Sequence, residues 1–202
     1  MRPNPALQNE NVAEYLLYIF QIEALVRTVD LDITRLENEL LAPAFTDPSQ
    51  LEFQLSWYRT IVSEMQQRGL QKEGHLDQVD EILMELIYLH NTLLTILNDE
   101  KYKGLCEHAN DALQAFKVKS NMANRHDIEV LLHAMFMKLQ LKMKKQEISA
   151  ETEEAFDLFR IQLAYLSKNY QRMKAGELNF VQNWFFGKLL IGVKLFWSAS
   201  IS

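Results

Sequence analysis

The four prolines of this 202-residue chain, Pro3, Pro5, Pro43 and Pro48, all lie within its first 48 residues. Proline removes a backbone donor and clashes with the preceding turn, so its absence from the rest of the chain leaves helices little to stop them. Only six glycines, Gly69, Gly74, Gly104, Gly176, Gly187 and Gly192, offer further punctuation. Apolar residues recur with a period near 3.6 almost throughout. The sequence therefore predicts an all-α fold: a single bundle of about seven helices over residues 1–180, followed by an apolar C-terminal tail, 181–202, that is not a separate domain. No internal repeat or low-complexity linker divides the chain.

The helices are placed by their stripes and caps. The first covers 11–28, with Val12, Tyr15, Leu16, Ile19, Ile22 and Val26 facing inward. A short helix runs from Asp32, a good N-cap, to Leu41. Asp47-Pro48-Ser49-Gln50 starts the third, with Asp at N-cap and Pro at N1, and Gly69 ends it as the residue beyond the C-cap. Further helices are predicted over 75–98, 100–119 and 126–145. The last starts at Ser149, where Glu151, Glu153 and Glu154 favour the positive end of the helix dipole, and ends near Gly176.

Composition narrows the function classes. With 48% apolar and 24% charged residues, the chain is an ordinary globular protein, long enough to bury a core without a disulfide or metal staple. A net charge of −6 argues against general binding of phosphate backbones, so no nucleic-acid partner is expected. The single cysteine, Cys106, cannot form an internal disulfide, which fits a reducing compartment. The first apolar run, from Val12, is broken by Glu14, Gln21 and Glu23, so it reads neither as a signal peptide nor as a membrane span. A cytoplasmic location follows as the expectation.

The common chemical signatures are missing. No glycines stand as G-x-x-x-x-G-K or G-x-G-x-x-G, no G-x-S-x-G elbow occurs, and neither H-E-x-x-H nor a di-iron E-x-x-H pair is present. One cysteine rules out the paired-cysteine zinc patterns. No catalytic residue, cofactor or metal is assigned.

Three polar residues form the candidate polar core site: Glu23, His90 and His75. Glu23 lies about 20° from Val12 on a helical wheel, in the middle of an apolar stripe. His90 falls within the stripe of Val79, Leu83, Leu86 and Leu94. Buried polar groups need partners, and a Glu23–His90 contact would satisfy both. Such a pair is either a structural hydrogen bond or an acid–base pair lining a pocket. His75, after Gly74, reads as a neutral loop-to-helix cap or packing contact. It is about 22 Å from His90 along one helix, too far to share a metal.

Weaker features have plain readings. His126, Glu129 and His133 share a helix side, but the two histidines are about 10 Å apart along the axis, too far to hold one ion. Lys138, Lys142 and Lys145 read as a solvated flank rather than an anion patch. Cys106 sits in an apolar stripe as a small hydrophobe. Tyr15, Tyr18, Phe20, Phe53, Trp57 and Tyr58 give two helices apolar surface beyond the main stripe, for another helix of the bundle or for a dimer face. The tail is mostly apolar over 180–197, and its only charges there are Lys188 and Lys194. Lys188 near its centre disfavours a membrane span, and scattered polar positions disfavour a surface-lying helix. Membrane contact through 180–197 is possible but less favoured than docking on the bundle or a partner.

Several passages together resemble an uncharacterised bacterial family of helical proteins, one of the domain-of-unknown-function families. They are Glu10-Asn11-Val12-Ala13-Glu14-Tyr15 with Gln21-Ile22-Glu23, Trp57-Tyr58, Gly69 with Gly74-His75-Leu76, Leu89-His90-Asn91, and Lys145-Gln146-Glu147-Ile148-Ser149. The resemblance covers about residues 9–180 and leaves the tail outside. It implies an all-α fold in a cytoplasmic bacterial protein and lends no catalytic residues. The function is unknown at this level. The leading class is a non-enzymatic interaction or scaffold protein that forms homo-oligomers or binds a protein partner. The alternatives are an enzyme or ligand binder using Glu23 and His90, and a peripheral membrane protein using its tail.

Overall fold

A computed structural model describes residues 5–178, and every element among them is helical. In chain order these are α1 (Pro5–Glu10), α2 (Val12–Thr28), α3 (Ile33–Arg35), a π-helical segment (Leu36–Leu41), α4 (Pro48–Gln67), α5 (Asp77–Thr95), α6 (Glu100–Lys119), α7 (Asp127–Met143) and α8 (Ala150–Lys174). The all-α expectation holds. Eight helices stand among the described residues where about seven were expected, the extra one being α1, too short to show a period. The tail expectations fall outside the described residues.

The N-caps are the polar residues the sequence offers. Asn11, Asp32, Asp47, Asp99 and Ser149 each accept a backbone N–H from the first turn of the helix that follows, filling donors a helix start leaves empty. The C-terminal ends of α2, α4, α6, α7 and α8 share one closure. The residue after the C-cap takes a left-handed conformation, and it and its successor bond back into the last turn. At α8, Gly176 N–H donates to the Met173 carbonyl and Glu177 N–H to that of Arg172, the pattern of a Schellman motif. Glycine fills this position only in α4 and α8. Asp30, Asn121 and Lys145 fill it elsewhere, which is how a chain with so few glycines ends its helices cleanly.

The short helix predicted from Asp32 divides. After one α-helical turn, the Ala42 N–H reaches back five residues to the Glu37 carbonyl. Nothing in residue spacing distinguishes that register from the α-helical one.

The chain forms two compact units. The first comprises Met1–Glu85 and Leu132–Ile148, the second Leu86–Leu131 and Ser149–Ser202. Val12, Leu16, Val26, Leu36, Met65 and Val79 are completely buried in the first. Leu89, Tyr102, Ala109, Ile128, Leu131 and Phe159 are so in the second, where α6 packs along α8. Of the surplus aromatics, Tyr15, Phe20 and Tyr58 are buried, Tyr18 and Trp57 half-buried, and Phe53 exposed. Packing within the fold therefore accounts for Tyr15, Phe20 and Tyr58. No described helix is long and apolar enough to cross a membrane.

Candidate functional site

In the first unit, Glu23 projects from the middle of α2 and is wholly buried. Its Oε1 accepts the Leu76 N–H at 2.8 Å, and its Oε2 lies 2.7 Å from His75 Nδ1. One carboxyl thus holds the last two residues before α5. Arg27, one turn further along α2, donates to the carbonyls of Leu70 (3.0 Å) and Gly74 and approaches Glu23 Oε2 at 3.9 Å. From the end of α4, Arg68 donates to the His75 carbonyl and to Asp80. Glu64 accepts the Asp77 N–H at 2.7 Å. The 70–76 loop is therefore clamped by α2 on one side and α4 on the other. Gly74 is needed in it: φ is +90°, and a Cβ there would come within 2.8 Å of the Leu70 side chain.

The His75 ring stacks on Phe20 at 4.4 Å and 20°, and Phe136 meets Phe20 edge-on. The imidazole is thereby fixed at one nitrogen and one face, with 35% of its side chain exposed. This is the loop-to-helix packing contact expected from sequence. Burial holds His133 below the usual histidine range, helped by the nearby His75.

His90 belongs to the second unit and has different partners. Its Nδ1 lies 2.8 Å from the Tyr102 hydroxyl. Its ring packs edge-to-face with Tyr102 and with His126. Burial, with His126 adding to it against the opposing charge of Asp127, pushes its pKa down to about 4, so the ring is neutral near pH 7. Both Glu23 and His90 are buried and hydrogen-bonded, as the sequence requires. Within the first unit Glu23 is bonded to His75 and Leu76, and within the second His90 is bonded to Tyr102.

The Tyr102 hydroxyl is the hub of a polar chain the sequence reading missed. It is also hydrogen-bonded to Cys106 and Gln162, and burial raises its pKa far above the usual phenol range. The Gln162 amide nitrogen donates to Cys106 Sγ at 3.3 Å. Gln162 Oε1 is buried with no hydrogen-bond partner. Tyr165 stacks on Tyr102, and its hydroxyl donates to Asp99, the N-cap of α6. Burial pushes the Cys106 thiol up to about 11, with Asp127 and Glu107 reinforcing and the Tyr102 bond opposing. A thiol so held is a poor nucleophile. The legible signal was Gln162, a polar residue between Phe159, Leu163 and Leu166 at helical spacing.

His126 and Glu129 have a structural task. His126 Nδ1 accepts the Ile128 N–H at 3.2 Å, and Glu129 Oε2 accepts the His126 N–H at 2.9 Å. This reciprocal capping box opens α7 with an imidazole in the place usually taken by a hydroxyl. The pair lies in the second unit and His133 in the first. No cluster of three or more His, Cys, Asp or Glu side chains suited to a metal ion occurs among the described residues. Lys138 is buried, which takes it out of the lysine flank expected on α7.

No curated protein and no solved structure matches this chain. Residues 3–177 match the model of a domain of unknown function, DUF4924, with the tail outside the match, and the chain belongs to that family.

Proposed function

We propose that this protein is a non-enzymatic helical interaction module that self-associates, working in the reducing cytoplasm. The observation that carries this reading is how the reactive groups are used, Glu23 and His90 being buried and Cys106, His126 and Glu129 half-buried. Glu23 secures the start of α5, His90 and Cys106 bond to Tyr102, and His126 and Glu129 cap α7. Each of these five groups holds backbone or another side chain of its own unit. Large apolar side chains meanwhile stand in solvent: Phe53, Met84 and Met143 in the first unit, Tyr88, Ile96, Val118 and Ile161 in the second. Val118 and Met143 are the most open, at 78% and 67%. Side chains of this kind supply the apolar centre of an interface. A two-fold dimer is the simplest assembly.

Sedimentation velocity of the full chain from 1 to 100 μM tests the proposal. A dimer is expected, weakened at least tenfold by one of Phe53→Glu, Val118→Lys or Met143→Lys. A monomer throughout that range overturns self-association.

A further inference from the structure

A shallow cleft of about 270 Å³ runs between α6 and the first turns of α8. Its walls are apolar, with Ala112 and Phe116 on α6 facing Ala155, Phe156 and Leu158 on α8. Glu151, Glu154 and Lys119 stand around it. Its volume falls below the roughly 300–1,000 Å³ of small-molecule sites. Among the described residues, neither buried polar side-chain atom lacking a hydrogen bond, Tyr18 Oη or Gln162 Oε1, belongs to its lining. A cleft of this kind suits one or two large apolar side chains.

We propose that the occupant is this chain's own tail, with Phe196 and Trp197 as the anchoring side chains. The first argument is direction. The Schellman closure at Gly176 ends α8 and lets the chain leave the helix axis there. The second is reach. Wound as a helix, residues 180–197 span about 27 Å, and α8 from Lys174 back to Ala155 spans about 28 Å. A returning segment therefore brings Phe196 and Trp197 level with the cleft, and a less compact one reaches it with slack. The third is chemistry. The segment is mostly aromatic and aliphatic, and its only charges, Lys188 and Lys194, are opposite in sign to Glu151 and Glu154. A covalently attached segment also acts at a millimolar effective concentration, well above that of a second copy at micromolar concentration.

The test places benzoylphenylalanine at position 197 of the full chain. An equal mixture of isotopically light and heavy protein is irradiated and the cross-links are mapped by mass. Cross-links within one chain to residues 112–119 or 151–158 are expected, reduced at least fivefold by Ala155→Trp, which fills the cleft. In a Trp57→Phe background Trp184 and Trp197 are the remaining emitters, and Ala155→Trp is replaced by Ala155→Phe. Acrylamide quenching of their emission is then expected to rise about twofold. Light-to-heavy cross-links overturn the proposal in favour of a second copy. Flotation with phosphatidylglycerol vesicles and loss of the cleft cross-link overturn it in favour of a membrane surface. Cross-links confined to other parts of the chain, or none, overturn it outright.

Discussion

Glu23 stands on one helix and holds the start of another, and the cost of removing it depends on what remains behind. In Glu23→Leu the Leu76 N–H and the His75 ring lose their acceptor, and an unsatisfied buried donor costs about 1–3 kcal/mol. His75→Leu alone leaves the Glu23 carboxyl with one partner fewer in an apolar setting. The double variant should therefore be more stable than the sum of the single losses by at least about 1 kcal/mol. Glu23→Leu and His90→Leu share no hydrogen-bond partner and should add within about 0.5 kcal/mol. Urea denaturation of both cycles checks the assignment. The sequence made Glu23 and His90 legible as buried polar groups, because each interrupts an apolar stripe. It did not make their partners legible, because a stripe gives a residue's depth within its own helix and nothing about which loop or helix faces it.

His90 also sets a pH dependence. Its folded pKa, about 4, lies below the ordinary histidine value. The unfolded chain therefore takes up a proton first as pH falls, and the stability this group contributes is present above about pH 6.5 and lost progressively toward pH 4. The difference is worth up to about 3 kcal/mol. His133 is displaced in the same direction and adds to the loss. Denaturation midpoints between pH 7.5 and 4.5 should fall with pH, and His90→Gln should fall less steeply than the parent.

At the scale of the element, helix starts were more legible than helix identities. Asp32, Asp47 and Ser149 cap as their residue types predict, since a short side-chain oxygen in extended backbone reaches the first free amides. His126 was missed as a cap because histidine is not among the residues favoured there, and its place with Glu129 and His133 on one helix side reads as a solvated face instead. Two of the glycines with positive φ give a ranked prediction. At Gly176 a Cβ would meet nothing within 4 Å, so Gly176→Ala carries only the left-handed strain, about 1 kcal/mol. Gly74→Ala carries that strain and a clash with Leu70, so it should cost distinctly more. Thermal melts of the two variants should keep that order, and a smaller loss at position 74 would show that the clamped loop yields.

For the whole molecule, the 3.6-residue period and the absence of proline after position 48 made the all-helical class legible. The grouping of helices was not, because two units exchange chain and no composition shift marks where. Between the described ends the chain passes from one unit to the other at Glu85–Leu86, Leu131–Leu132 and Ile148–Ser149. The first passage lies inside α5 and the second inside α7. This has a practical consequence for handling the protein. No single cut releases either unit whole, because each is assembled from two separated stretches of chain. Two of the three junctions are internally hydrogen-bonded helix, which proteases do not readily enter. Subcloned halves should aggregate or remain unstructured, and limited trypsin digestion should trim the ends before it yields a stable fragment. Calorimetry of the intact chain should show one endotherm with matching calorimetric and van't Hoff enthalpies, since melting one unit frays helices that the other shares.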